Sequence, residues 1–115
     1  MALIYHLTYK RSWEAAKPTG EYAAPSLAEE GFIHCSKDIT QLLKVSARLY
    51  PGDENLLVLD VDLDKLPSPI KEEPSRSGEI YPHIYGPLNL DAVTETLEFI
   101  IESEIFVAVK PSPST

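Results

Sequence analysis

The chain is short of cysteine, of positive charge and of long apolar runs, and each shortage removes a class of protein. Cys35 is the only cysteine among 115 residues, so there is no partner for an internal disulfide and no second thiolate for a zinc finger. A reducing cytoplasm is the expected compartment. Lysine and arginine number 10 against 18 aspartates and glutamates, a formal net charge of −8 that repels polyphosphate at long range. DNA and extended RNA are therefore not expected partners. No stretch approaches the roughly 18 apolar residues of a membrane span, and the N-terminus lacks the basic segment, apolar run and small-residue cleavage site of a signal peptide. A membrane is likewise not expected. No internal repeat is visible.

What is present is the composition of a globular domain, 43% apolar and 24% charged, at a length suited to one domain. Ten prolines, clustered between Pro67 and Pro87, argue against a helical bundle, because each removes a backbone donor and fixes φ. The expectation is a compact α+β domain over residues 1–110, with mainly antiparallel sheet and one or two helices. Residues 111–115 read as a disordered tail.

Ala2 to Thr8 is a β-rich run, followed by a short helix started by Ser12 and ended by Pro18 and Gly20. Pro25 to Gly31 reads as a helical turn with a glycine stop that leads into a strand from Phe32 to Ser36. Asp38 and Gln41 resemble a capping box, after which Ile39, Leu42, Leu43, Ser46, Ala47 and Tyr50 share one helical face. Along Asn55 to Leu63, Leu57, Leu59, Val61 and Leu63 alternate with Val58, Asp60 and Asp62, the pattern of a strand with one wet side. The strand is expected to pack against that helix. Pro67 to Ser77 reads as a surface loop, Glu79 to Gly86 as a strand, and Pro87 to Asp91 as a bend. Residues 92–103 satisfy both helical and strand patterns.

The three histidines all fall in expected strands. Side chains alternate along a strand, so His6 shares a face with Thr8, His34 with Ser36, and His83 with Tyr81 and Tyr85. Each has a hydroxyl neighbour on its own side, and the simplest arrangement brings all three into one cleft. A lone strand histidine is more often a hydrogen-bonded structural residue than a catalyst. Cys35 points to the opposite face from His34 and reads as a buried structural thiol. In Tyr81-Pro82-His83-Ile84-Tyr85-Gly86-Pro87, three rings and a glycine lie close together, and Gly86 permits a ligand or another backbone to approach.

Three segments, Ile4-Tyr5-His6-Leu7-Thr8, Ser26-Leu27 with Glu30-Gly31-Phe32-Ile33-His34-Cys35-Ser36, and Pro82-His83-Ile84-Tyr85-Gly86-Pro87-Leu88, resemble the signature segments of the bacterial family known as domain of unknown function 952. That family in turn resembles a compact ADP-ribosyltransferase-like fold, shared with NAD-dependent transferases and RNA 2′-phosphotransferases. The resemblance implies an NAD- or nucleotide-binding transferase or glycohydrolase. It implies that His6 contacts the adenosine ribose, that His34 or Ser36 takes the second motif position, and that Glu73 takes the acidic one. His34, Glu73 and His83 become the expected catalytic residues, with His6, Thr8, Ser36, Tyr81, Tyr85 and Gly86 binding the nucleotide. No metal is expected. The only arginines, Arg11, Arg48 and Arg76, lie outside all three motifs, which disfavours the RNA phosphotransferase activity.

Two other classes fit the same residues. A His-only metal hydrolase needs three rings within about 2.1 Å of one ion, yet no HxH or HxxxH pair is present. A non-catalytic nucleotide-binding regulatory module would use the same cleft without turnover.

Overall fold

Leu3–Tyr9 forms the first strand, β1, with Ile4, His6 and Thr8 turned into the interior; the computed structural model describes residues 2–113. Lys10–Ala16 continues directly as α1, two residues ahead of the expected Ser12 start, with no side-chain cap. Trp13 and Ala16 bury, and a 3-10 turn over Lys17–Thr19 ends at Gly20, whose φ of 79° is left-handed. After β2 (Glu21–Tyr22), α2 (Pro25–Glu30) opens on a proline and closes at Gly31. Of the expected strand from Phe32 to Ser36, only Ile33–His34 is regular ladder, β3, while Ser36 makes one isolated bridge to Tyr5. Asp38 caps α3 (Ile39–Leu49) by accepting the Gln41 N–H at 2.8 Å.

The strand expected to have a wet side has none. Leu56–Asp62, β4, is buried at every position, because it lies inside an antiparallel sheet of order β1-β4-β8-β9, where β8 is Val93–Glu102 and β9 is Ile105–Pro111. Leu57, Leu59 and Val61 join a core with Trp13, Ile33, Ile84 and Leu88. On the other face Leu56 and Val58 meet Leu42 of α3, Phe99 and Phe106. The helix therefore packs against β4 as expected, on the face carrying Leu56 and Val58. Asp60 and Asp62, read as wet, are 7% and 5% exposed.

The expected surface loop from Pro67 to Ser77 contains a strand, β5 (Ile70–Pro74), paired with β6 (Ile80–Ile84), which pairs with β3 in a second sheet of order β3-β6-β5. An edge strand tolerates proline because its outer N–H positions need no partner. The bend after Pro87 supplies β7 (Leu88–Asn89), paired with β2. The ambiguous segment 92–103 resolves as β8, joined to β9 through Ser103 and Glu104 at φ 51° and 67°, positive as in type I′ hairpin turns. The expected tail is held at its start: Pro111 ends β9, and the Ser112 N–H donates to the Thr96 carbonyl at 2.9 Å. Ser114 and Thr115 lie outside the described residues.

The result is one α+β domain of antiparallel sheets with three α-helices among the described residues, where one or two were expected. Cys35 faces the core, and burial pushes its thiol pKa up. No helix among the described residues is long and apolar enough to cross a membrane.

Candidate functional site

The two larger sheets meet along their edges. Tyr5 of β1 and Ser36 exchange both backbone hydrogen bonds, at 2.9 and 2.7 Å. Along this seam lies a cavity of about 750 Å³ whose walls include all three histidines.

Tyr5 spends its N–H and C=O on Ser36, so its pairing with Asp60 of β4 is a non-hydrogen-bonded one. Alternation in an antiparallel ladder makes Leu7, paired with Val58, the next such residue. The Leu7 N–H and C=O consequently point away from β4, on the edge that borders the cavity. One residue thus presents a backbone donor and acceptor side by side.

His6 lies beneath this edge, buried, with Nδ1 2.6 Å from the His34 carbonyl oxygen and Nε2 2.9 Å from the Tyr22 hydroxyl. A carbonyl only accepts, so Nδ1 carries the proton. Burial depresses the pKa of the ring to about 4, and the ring is neutral. Tyr22 also reaches Thr8 Oγ1 at 2.8 Å. Both nitrogens of His6 are therefore engaged within the protein, and contact with a ribose requires giving one up.

His34 and His83 sit opposite each other on the β3–β6 ladder, their ring centroids 5.2 Å apart and their planes at 81°. Each is tied to a carboxylate. His83 Nδ1 is 2.8 Å from Glu73 Oε1, and His34 Nε2 is 2.8 Å from Glu30 Oε2. The Tyr85 hydroxyl donates to the same Glu73 oxygen. Hydrogen bonds from Tyr85 and then His83 hold the Glu73 pKa below the usual carboxylate range, so Glu73 is an acceptor and Nδ1–H of His83 donates. His83 Nε2 and His34 Nδ1 have no hydrogen-bond partner among the described residues. Phe32 stacks on the His83 ring at 4.1 Å and 18°, fixing its plane.

The cavity collects His6, Thr8, Ser36, His34, Tyr81 and His83 from the expected site residues. Glu73, Tyr85 and Gly86 are not on its wall. Glu73 stands behind His83, and Tyr85 serves Glu73. The close approach at Gly86 is made by the protein itself: a Cβ there would lie 2.5 Å from Ser68 Oγ. Among the wall residues outside the expected set, Glu30, Tyr22, Arg48 and Arg76 bring a carboxylate, a phenol and two guanidinium groups. Only Glu30, four residues before His34 across the Gly31 stop, carried a local signal.

Among the described residues no group of three or more His, Cys, Asp and Glu side chains is placed to hold a metal ion. A His-only metal centre therefore lacks its ligand set.

Fold and site define a single-domain α+β protein whose two larger sheets join at a bridged edge over a cleft whose walls include His34 and His83, each paired with a carboxylate. The chain belongs to the family of proteins of unknown function DUF952, whose model matches residues 7–96. It is similar to protein CC0527 from Caulobacter crescentus, whose crystal structure shares 32% identity over 95% of this chain and 94% of that one, with a TM-score of 0.78. The solution NMR structure of CC0527 gives 31% identity over 93% of each chain, with a TM-score of 0.78. Comparison with curated proteins gives no match. Neither the family nor these structures names an activity, and none of them supports the expected likeness to ADP-ribosyltransferases.

Proposed function

We propose that the cleft takes a nicotinamide dinucleotide as substrate and that the protein is an ADP-ribosyl transferase or glycohydrolase acting in the cytoplasm. The observation that carries this reading is the open backbone edge at Leu7. Its adjacent donor and acceptor complement a primary carboxamide, which offers one acceptor and one donor in the same plane. Charge agrees: Arg48 and Arg76 line the cleft, and neither makes an ion pair among the described residues. They give an acidic protein a local site for a diphosphate. The cavity volume, about 750 Å³, suits a ligand of this size.

When bound, NAD supplies a ribose carbon bearing nicotinamide as its leaving group, with positive charge developing on that ribose. Glu30, the carboxylate on the cleft wall, places negative charge beside it. His83 Nε2 takes the proton of a water or acceptor hydroxyl. Glu73 holds the Nδ1–H tautomer and stabilises the imidazolium that results. His34 Nδ1 accepts a hydrogen bond that orients the same hydroxyl.

Incubation of the purified protein with NAD, followed by chromatography for free nicotinamide, tests the reading. Release that disappears in His83→Ala supports it. Binding without release makes the protein a nucleotide-binding module, and neither binding nor release overturns the proposal.

A further inference from the structure

Past the histidines, the cavity continues along β1 to the C-terminal end of α3. Tyr9, Ser12, Val45, Arg48, Leu49 and Tyr50 line that end. Its chemistry differs from that of the histidine end. Tyr9 and Tyr50 meet edge to face, with centroids 5.8 Å apart and planes at 77°. Arg11 lies over the Tyr9 ring at 4.3 Å, so a cation already occupies one aromatic face. Leu49 is 54% exposed, unusual for a leucine inside a concave wall. Arg48, in the last turn of α3, has no ion pair among the described residues, although the chain carries a net charge of −8.

An aromatic corner, aliphatic side chains, a hydroxyl and an unneutralised guanidinium on one wall are the complement of a flat heterocycle carrying a phosphate. We propose that this end is a second ring site, which takes the purine base of an adenine nucleotide, with Arg48 on its phosphate. This rests on the dinucleotide reading above and adds a selectivity. The protein holds adenine-phosphate ligands at the α3 end independently of the nicotinamide at the Leu7 edge. Ser12 supplies a hydroxyl to a ring nitrogen, and Tyr50, Val45 and Leu49 cover the ring faces.

Calorimetric titration of the His83→Ala protein with AMP, adenosine and nicotinamide mononucleotide provides the test. Arg48 is exposed, so Arg48→Gln leaves the fold intact; Tyr50→Phe keeps the ring as a packing control for Tyr50→Ala. We expect AMP to bind more tightly than adenosine and Arg48→Gln to erase that difference. We also expect Tyr50→Ala, but not Tyr50→Phe, to weaken AMP by tenfold or more while nicotinamide mononucleotide is unaffected. If Arg48→Gln and Tyr50→Ala leave AMP binding unchanged, or weaken the two mononucleotides equally, there is no separate ring site. AMP binding that depends on Tyr50 and Arg48, together with no nicotinamide release from NAD by the protein with His83 intact, would sustain this site and remove the catalytic reading. Turnover of NAD with an unchanged KM in Arg48→Gln and Tyr50→Ala, each with His83 intact, would do the reverse.

Discussion

The Nδ1–H of His6 donates to the carbonyl oxygen of His34 at 2.6 Å, so a buried ring on β1 anchors the strand that carries the exposed histidine of the cleft. His6 thereby acts on the site from below.

It follows that His6→Ala is first a stability variant. Truncation leaves the His34 carbonyl without its donor, leaves the Tyr22 hydroxyl with Thr8 alone, and opens a cavity under the seam. The expected loss is about 2–4 kcal/mol, read from the urea midpoint. A loss below about 0.5 kcal/mol, the range of an ordinary surface change, would show that the ring is not holding the strands together.

The pH dependence of stability contains two opposing contributions. Burial, and then Glu95 across the ladder, raise the Asp60 pKa from 3.8 to about 6, so the fold gains from its proton below pH 3.8 and loses that gain as pH rises through about 6. His6, depressed from 6.5 to about 4, destabilises the fold as pH falls through the same window. Asp60 Oδ1 has no hydrogen-bond partner, and Tyr5 adjoins it on β1. Asp60→Asn should therefore be more stable than wild type by roughly 1–3 kcal/mol at pH 7 and by little at pH 4. Denaturant titrations at the two pH values check this, and an equal gain at both would contradict it.

How far the sequence could be read depended on whether the signal was local. The Asp38 cap, the Gly31 stop and the alternation that turns His6 and Thr8 to one side are short-range features, and all are present in the fold. The double burial of β4 was hidden by Asp60 and Asp62, because a carboxylate in a strand reads as solvent until the second layer is known. Likewise β5 was hidden by the Pro67–Ser77 composition, since proline marks loops and edge strands alike. In the site, the His6–His34 bond spans 28 residues and the bond from Tyr22 to His6 spans 16, so no spacing rule could join them. The resemblance offers Glu73 as an acidic group, but its place behind His83 depends on the β5–β6 register, which pairs Glu73 with Tyr81 and Lys71 with His83.

Glu73 acts through His83 and so should affect turnover rather than affinity. Glu73→Gln is expected to lower kcat roughly 10²-fold or more with little change in KM. Steady-state kinetics with NAD separate the two parameters, and a change confined to KM would place the Glu73 side chain against the ligand instead.

The core thiol gives a control on folding in every variant. Burial raises the pKa of Cys35 and hides it from solvent, so alkylation by iodoacetamide should be slow in buffer and rapid in urea. Fast labelling of the native protein would show that β3 opens readily.

The most direct test of the cleft's assignment is a competition in one tube between NAD and its nicotinic acid analogue, with product release measured for each. A carboxylate has lost the N–H donor that the Leu7 carbonyl requires, and a site built on a hydrogen bond rejects an analogue lacking it. The account predicts that NAD is consumed with a kcat/KM at least 100-fold higher. Equal consumption of the two, or consumption of neither, would contradict it.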